Sequence, residues 1–234
     1  MNWLSRLFGS KPNLDAEQAR RLADWRALPA ADLGTASDAS RYVVVDVETS
    51  GLNMRTDHLI AIGAVAVDAG AIRLSDSMEI VLRQQRISDR ENILIHGISG
   101  TAQAEGVPPV EALLSFLEYL GKSPLVAFHV AFDKTMIDRA LKTHLGLKFN
   151  HAWADLAYVC PALYPDLARS NRSLDNWMQR FEINNFARHS ALADAVSTAE
   201  LLLALNQRLQ DKHILNFKDL NNLEQAQRMT NWTS

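Results

Sequence analysis

The sequence has very little cysteine: Cys160 is the only one among its 234 residues. A single thiol cannot close an internal disulfide, and it cannot supply the several thiolates of a cysteine-based zinc site. Low cysteine use is typical of proteins from reducing compartments, so we expect a cytoplasmic protein.

Long apolar runs and an excess of positive charge are missing as well. No window approaches the ~18 uninterrupted apolar residues of a membrane-spanning helix, and the N-terminus lacks the apolar core and cleavage site of a secretory signal. The net charge of −3 excludes a protein that coats long nucleic acid by electrostatics alone. The same net charge is compatible with an enzyme that holds a few terminal nucleotides through local Arg, Lys and bound cations.

Residues 1–40 are predicted to be an N-terminal helical extension followed by a linker. Leu22, Trp25 and Leu28 recur at helical spacing, and Ala30–Ser40 is small and polar. This division places the main domain after residue 40.

The first ten residues form a separate short amphipathic stretch. Its apolar residues are Trp3, Leu4, Leu7 and Phe8. They could dock on a protein partner through residues 1–10 or touch a membrane surface, although the stretch is short for a stable anchor. A helix that packs on its own domain is the simpler interpretation.

The segment 41–210 is predicted to be the main domain. Strands are predicted over Tyr42–Val47, Leu59–Val67, Ile72–Leu82, Leu125–Phe128 and near Ala152–Ala154, with a hairpin turn at Asp68–Gly70. Helices are predicted from Pro109 to Leu120, through Met136–Leu141, and over Ser173–Phe181 and Ser190–Leu209. A meander followed by alternating helices and strands predicts an α/β domain with a mixed sheet covered by helices. The tail, 211–234, is polar and forms one more helix or stays loose.

Two acidic residues interrupt the first, valine-rich strand. Asp46 and Glu48 lie two apart, so on a strand both carboxylates point to the same face. Burying two like charges together is costly unless a cation lies between them, and Mg²⁺ or Mn²⁺ prefers such oxygen ligands. The pair alone is equally compatible with two acids at a strand end that face water.

Three further residues become candidates only in combination. Asp133 follows the strand Leu125–Phe128, where an aspartate is commonly a helix cap. His189 and Asp194 are five residues apart, so they converge only if His189 lies on the loop that enters the helix, with Ser190 as the N-cap. A histidine beside a helix start is commonly an ordinary surface residue.

The ordered set of four acids and one histidine is more specific than any one of them. In its order and local sequence the chain resembles the DEDDh 3′→5′ exonucleases, which include the proofreading subunit of bacterial DNA polymerase III, ribonuclease T and oligoribonuclease. The resemblance covers about Tyr42 to Leu209. The matching segments are VVVDVETSGL (Val43–Leu52), HGIS (His96–Ser99), LVAFHVAFD (Leu125–Asp133), SLDNWMQRFEI (Ser173–Ile183) and RHSALADA (Arg188–Ala195).

This resemblance implies a ribonuclease H-like fold, with a mixed five-stranded sheet flanked by helices. It implies that two divalent cations, Mg²⁺ or Mn²⁺, are held around the scissile phosphate and that His189 is the general base. The implied metal ligands are Asp46, Glu48, Asp133 and Asp194. The product would be a nucleoside 5′-monophosphate.

The resemblance also implies where the substrate binds. The residues that meet the 3′-terminal nucleotide would be Thr49, Ser50, Gly51 and Leu52. His96 would lie near the same pocket, although an ordinary loop histidine fits the sequence equally well.

One position departs from the family pattern. Where many relatives have His-Asn, this chain has Phe128 and His129. His129 could therefore change the base or sugar preference, while Phe128 packs in the core or stacks on a base.

The expected substrate is the 3′ end of a single-stranded or 3′-terminal nucleic acid. DNA is slightly favoured over RNA, because the segment Ser173–Ala195 is most similar to the polymerase proofreading subunit. The alternatives are an RNA-trimming exoribonuclease and a non-catalytic nucleic-acid-binding module on the same fold. The intact set of acids and histidine argues against the second, and the sequence specifies no oligomeric state.

Overall fold

The structure is a computed structural model, and it describes residues 12–185 and 187–232. The prediction for residues 1–10 lies outside the described residues.

Five strands form one mixed sheet, as the sequence predicts. They are β1 (Arg41–Thr49), β2 (Leu59–Asp68), β3 (Ala71–Val81), β4 (Leu125–Ala127) and β5 (Trp153–Asp155), in the order β3-β2-β1-β4-β5. β2 runs antiparallel to β1 and β3, whereas β4 runs parallel to β1 and β5. Because β1 and β4 are parallel neighbours, the loops that follow them meet at one edge of the sheet.

Helices cover both faces of this sheet, which confirms the α/β prediction. They are α1 (Ala16–Ala27), α2 (Arg90–His96), α3 (Gly100–Glu105), α4 (Pro109–Leu120), α5 (Val130–Leu145), α6 (Leu156–Leu163), α7 (Leu174–Arg180), α8 (Ala191–Ala204), α9 (Asn206–Asp211) and α10 (Phe217–Trp232). In the part of the chain that the structure describes, none of these helices has the length and apolarity needed to cross a lipid bilayer.

The alternation of β1 decides which side of the sheet carries the acidic pair. Val43, Val45 and Val47 belong to the core beneath α1, α4 and α5. Val44 belongs to the opposite core, which includes residues of α6, α7, α8 and α10. Successive side chains of a strand point to opposite faces, so Asp46 and Glu48 lie on the side of Val44, towards α8.

The hairpin between β2 and β3 forms where the sequence predicts it. Ala69 and Gly70 have φ of 50° and 74°. Two positive φ values in a two-residue loop match the twist of the flanking strands, which explains the short turn.

Three short helices, α2, α3 and α6, are not predicted from the sequence pattern. Each has too few residues to show an apolar period. In α2 the large apolar residues Leu94 and Ile95 are exposed, and the helix is instead fixed by Asp89, which accepts a hydrogen bond from the Asn92 N–H at 2.8 Å. In α6 an internal proline, Pro161, argues against a helix.

Two predicted helices end earlier than the apolar pattern predicts. The single helix over Ser190–Leu209 is wrong, since α8 ends at Ala204 and α9 begins at Asn206. Between them the Leu205 N–H bonds to Leu202 as well as Leu201, which tightens the last turn. Leu28 is not part of the buried face of α1, because it caps the helix and is 44% exposed.

The C-terminal segment forms a helix that packs against the domain. α10 buries Phe217 and Leu220, and the Phe217 ring lies 5.3 Å from that of Tyr42. The linker is tied to the same segment, because the Lys218 N–H donates to the Leu33 carbonyl at 2.9 Å. The linker and the C-terminal segment therefore stabilise each other.

Candidate active site

Three carboxylates meet at the edge where β1 ends. Asp46, Glu48 and Asp194 each offer an oxygen, and these oxygens lie within 4.8 Å of one another. β1 supplies two of them at i and i+2, and the first turn of α8 supplies the third. The sequence predicts this convergence only through the family resemblance, because Asp194 is far away along the chain.

A glycine in β2 allows α8 to come this close. Gly63 pairs with Asp46 across the β1–β2 ladder. A Cβ atom built on Gly63 would lie 2.1 Å from backbone atoms of both Ala191 and Leu192, at the start of α8. Only a residue without a side chain fits there, and Gly63 was not predicted as part of the site. An isolated glycine inside an apolar strand is the signal that could have identified it.

Asp194 is held by three donors. Its side chain accepts hydrogen bonds from Asn185 Nδ2 at 2.6 Å and from the His189 N–H at 3.1 Å. It also forms an ion pair with Arg188, which bonds to Asp175 at 2.7 Å on its other side. Arg188 and Asn185 were missed as site residues, although Arg188 lies directly before His189 in the sequence.

Asp46 and Glu48 are held where ionisation is unfavourable. Burial is the main cause that raises the pKa of Asp46 well above its ordinary value, and the carboxylates of Asp133, Asp194 and Glu48 raise it further. Burial and the Asp194 carboxylate raise the pKa of Glu48 to about 8, while the Arg188 guanidinium opposes this shift. Such a group of oxygens suits a hard divalent cation, whose charge would offset their repulsion.

Asp133 lies close to this group but outside the set of three. It is in the first turn of α5 and is 4% exposed. Burial raises its pKa, backbone hydrogen bonds oppose the shift, and the carboxylates of Asp155 and Glu48 add to it. Asp133 therefore shares the electrostatic environment of the site from the neighbouring helix.

Both site histidines lie on left-handed backbone. His129 has φ of 68° at the N-cap of α5, and His189 has φ of 63° in the turn before α8. This conformation costs of order 1–3 kcal/mol for a residue with a side chain, so it persists only where the surroundings enforce it. The turn that carries His189 brings its backbone to Asp194, as the sequence analysis requires for the two to converge.

A buried carboxylate holds the turn after β4 through hydrogen bonds to its backbone. Asp155, which is 1% exposed, accepts hydrogen bonds from the N–H groups of His129 and Val130 at 2.9 and 3.1 Å. Arg228 of α10 donates to the same carboxylate at 3.0 Å, and Glu224 accepts from the Asp155 N–H at 3.0 Å. The C-terminal helix thus stabilises the rim of the site.

The predicted substrate segment lies beside the acids in a compact loop. Thr49 is buried and donates to the Gly51 carbonyl at 2.8 Å. Ser50 contacts His58 Nδ1 at 3.1 Å, whereas Leu52 is 86% exposed. An exposed apolar side chain next to a polar site is the part of this segment that a nucleotide base can reach.

His96 is placed differently from a substrate-binding loop histidine. It is 4% exposed, and both ring nitrogens have partners within the protein. Nδ1 accepts from the Ile98 N–H at 2.9 Å, and Nε2 contacts Asn92 Oδ1 at 2.9 Å. His96 therefore shapes the turn after α2.

Asp46, Glu48 and Asp194 line a cavity of about 280 Å³, together with residues of the turn after β4 and of α7. Phe128 and His129 are part of its wall. Phe128 is 8% exposed and belongs to the core beneath α8, and its ring meets that of His129 edge-on at 4.8 Å. A second groove of about 650 Å³ shares Arg188 and His189 with this cavity and extends along the turn after α2.

Sequence comparison connects this site to known proteins. A family model described as an exonuclease, RNase_T, matches residues 43–202. DNA polymerase III PolC-type of Bacillus subtilis is 30% identical over 181 residues, covering 77% of this chain and 12% of that protein. The enzyme of the same name from Caldanaerobacter subterraneus is 30% identical over 188 residues, covering 80% and 13%. The chain therefore spans only about an eighth of the length of these relatives.

Solved structures share the fold at low sequence identity. Exonuclease X in complex with 5′ overhanging duplex DNA has a TM-score of 0.61 and 19% identity, covering 78% of this chain and 99% of that one. The nuclease domain of 3′hExo, a DEDDh family member bound to rAMP, has a TM-score of 0.63 and 13% identity, covering 76% and 94%. E. coli exonuclease I in complex with a dT13 oligonucleotide has a TM-score of 0.63 and 17% identity, covering 74% and 42%.

Proposed function

Because this chain belongs to the exonuclease family that the RNase_T model describes, we propose that it is a metal-dependent 3′→5′ exonuclease that releases nucleoside 5′-monophosphates. The observation that carries the proposal is the meeting of three carboxylates, from β1 and α8, within 4.8 Å. A purely structural role does not account for them, because the group has more carboxylates than Arg188 can neutralise.

The metal ligands are the four acids of the family pattern. Asp46, Glu48 and Asp194 hold Mg²⁺ or Mn²⁺, and Asp133 contributes from the first turn of α5. When bound, two such ions activate the attacking water and stabilise the leaving 3′ oxygen.

His189 acts as the general base and takes the proton of that water. Its position supports this role, because the residue lies on the wall of the acidic cavity and is exposed to solvent. An imidazole with access to bulk water can pass the proton on after each turnover.

The 3′-terminal nucleotide lies against the loop that follows β1. Thr49, Ser50 and Gly51 approach its sugar, and the exposed Leu52 packs on its base. His96 acts on this pocket through the backbone of the turn after α2, to which it is hydrogen-bonded. His129 meets the sugar or base from the opposite rim, beside Phe128.

DNA is the preferred polymer in this proposal. The relatives carry the name DNA polymerase III, and exonuclease I and exonuclease X are named in complexes with DNA. RNA is the alternative, supported by the complex of 3′hExo with rAMP. The choice depends on how the 2′-hydroxyl is met, so His129 is the residue of interest.

The test uses single-stranded DNA and RNA oligonucleotides labelled at either end, with Mn²⁺, Mg²⁺ or EDTA. We expect stepwise shortening from the 3′ end that EDTA abolishes. Asp46→Asn keeps the shape of the side chain and removes its charge, so it should lower turnover by at least roughly 100-fold, as loss of a charge-stabilising group does. Folded protein that binds Mn²⁺ and digests neither polymer would contradict the proposal.

A further inference from the structure

A third cavity, separate from the acidic cavity and from the groove along the turn after α2, lies on the other side of the loop that follows β1. Its volume is about 480 Å³, and it is formed by the start of β2, the segment after β3 and one side of α5. Leu59, Leu82 and Met136 form its floor and belong to the core beneath α4 and α5. The acidic site lies on the opposite face of the sheet, so the two are separate cavities joined by one loop.

The walls of this groove carry an excess of positive charge. Arg83, Arg86 and Arg139 line it, and among its lining residues Asp57 is the acid. The two carboxylate oxygens of Asp57 already accept hydrogen bonds, from Ser50 Oγ at 3.1 Å and from the Asn53 N–H at 2.8 Å. We call this surface the arginine groove and define it by Arg83, Arg86 and Arg139. The positive charge of the arginine groove contrasts with the net charge of the chain, which is −3.

Within the part of the chain that the structure describes, the guanidinium groups of the arginine groove form no ion pairs. Among the described residues, no carboxylate lies within salt-bridge distance of Arg83, Arg86 or Arg139. Arg83 and Arg86 are exposed, and the Arg83 side chain donates from Nε to the Gly106 carbonyl at 3.1 Å. Their remaining donors face solvent. A guanidinium presents paired N–H donors that match the oxygens of a phosphate.

Hydrogen bonds connect the arginine groove to the substrate loop. Arg139 donates to the carbonyls of Met54 and Asp57, the latter at 2.9 Å. His58, on the groove wall, contacts the Ser50 hydroxyl through Nδ1 at 3.1 Å. Ser50 is two residues from Glu48. The arginine groove and the acidic site therefore border the same loop.

We propose that the arginine groove binds the phosphodiester backbone of the nucleic acid at a point away from the scissile bond. This inference rests on the proposed exonuclease function and adds a second contact region to it. The backbone belongs either to the digested strand or to its complement, since both present the same phosphate chemistry.

The test compares the full chain with an Arg83→Gln/Arg86→Gln double variant on oligonucleotides of about 4 to about 16 nucleotides, the range of site sizes of single-strand binding folds. We expect KM at low salt to rise by roughly 5- to 10-fold on the longest substrate and progressively less on shorter ones. A plot of log kcat/KM against log salt should become less steep by about 1.4, since each phosphate contact on a single strand contributes about 0.7.

Two variants serve as controls. Arg73→Gln removes an exposed arginine on β3 outside the groove, so it should leave the salt slope unchanged. An Arg83→Lys/Arg86→Lys variant keeps both charges and should restore most of the slope. Arg86→Gln alone repeats the test without loss of the Arg83 bond to Gly106.

The outcomes show which strand the arginine groove binds, and they distinguish failure of the groove proposal from failure of the exonuclease proposal. An effect on single strands assigns the groove to the digested strand, whereas an effect confined to duplexes with a recessed 3′ end assigns it to the complement. If variant and wild type had equal KM and equal salt slope on every substrate, the proposal that the arginine groove binds nucleic acid would be wrong. If the wild type digests nothing, the exonuclease proposal fails. Binding by the arginine groove is then tested by equilibrium binding, in which the salt slopes of wild type and variant are compared on the oligonucleotide of about 16 nucleotides, the upper end of such site sizes.

Discussion

At the scale of single residues, the acidic site depends on one residue that has no side chain. Gly63 lies opposite Asp46 in the β1–β2 ladder, directly beneath the first turn of α8. The absence of a side chain there lets the backbone of α8 approach β2. Because Asp194 is part of α8, its position depends on this approach. The distance between the β1 carboxylates and Asp194, which together form the proposed metal site, is therefore set by a glycine.

We predict that Gly63→Ala displaces α8 and impairs the site. The new Cβ would lie 2.1 Å from the helix backbone, so overpacking should lower the free energy of unfolding by about 1–3 kcal/mol. A shift of about 1 Å in Asp194 should lower turnover by about 100-fold. Gly34→Ala is the control, since its Cβ meets only Asp32 Oδ1 at 3.3 Å. Full activity and unchanged urea unfolding in Gly63→Ala would contradict this role.

Glu48 makes the stability of the metal-free protein depend on pH. Burial raises its folded-state pKa to about 8, above the 4.5 expected when the chain is unfolded. Between these values the folded state binds the proton more tightly than the unfolded state does. The free energy of unfolding therefore falls as the pH rises through this window, and the loss is complete above about pH 8.

Glu48→Gln should remove this loss. In EDTA at about pH 9 we expect the variant to be more stable than the wild type by roughly 1–3 kcal/mol, the usual cost of an unsatisfied buried polar group. At about pH 4 the side chain is protonated in both states, so the difference should nearly vanish. Urea unfolding at both pH values measures it, with the exposed Glu200→Gln of α8 as the control. A gain of equal size at both pH values would exclude ionisation as its cause.

At the scale of secondary-structure elements, α10 supports the active-site rim from behind. Arg228 bonds to Asp155 at 3.0 Å and to Glu224 at 2.6 Å, and its guanidinium lies 3.9 Å from the centre of the Tyr158 ring. Asp155 in turn holds the turn that carries His129. A helix at the end of the chain thus fixes the start of α5.

We predict that Arg228→Ala loosens this connection. It leaves the carboxylates of Asp155 and Glu224 buried without their cation, which costs several kcal/mol when the pair is fully buried. Because the Arg228 side chain is 35% exposed, we expect a smaller loss of about 1–3 kcal/mol in the free energy of unfolding. Turnover should fall as well, since the turn beneath His129 loses its support.

Thermal unfolding and steady-state kinetics measure both effects. Arg228→Lys keeps the charge and should recover part of the stability. Arg208→Ala is the matched control, because Arg208 lies over the Tyr164 ring at 5.8 Å but forms no ion pair among the described residues. If Arg208→Ala were as damaging as Arg228→Ala, lost packing would explain the result better than the lost ion pair.

At the scale of the whole molecule, the proposed metal site joins distant parts of the chain. Its proposed ligands come from β1, α5 and α8, so they meet only when the sheet and the helices that cover it have both formed. A cation that binds the folded state and not the unfolded chain stabilises the whole domain.

We predict that Mn²⁺ raises the melting temperature. At about 100 times its Kd the ion should add about 2.7 kcal/mol, which corresponds to roughly 5–10 °C for a chain of this size. Calorimetry with Mn²⁺ and with EDTA gives this shift directly. Asp46→Asn should lose most of it, and Asp166→Asn, an acid outside the described site, should keep it. The same shift in both variants would indicate binding elsewhere.

The sequence by itself determined the parts of this protein that depend on local periodicity and on the order of motifs. The alternation of β1 puts Asp46 and Glu48 on one face, and the buried apolar runs define the strands of the mixed sheet. The order of the acids and His189 was enough to identify the family. Short helices such as α2 escaped prediction because they have too few residues to show a period.

Only the tertiary structure decided which side chains meet. It placed Arg188 between Asp194 and Asp175 and buried the ring of His96. It also made a glycine of β2 the contact point for α8. These arrangements depend on how closely elements distant in sequence approach each other, and that approach is set by packing across the sheet, which no local pattern of residues records.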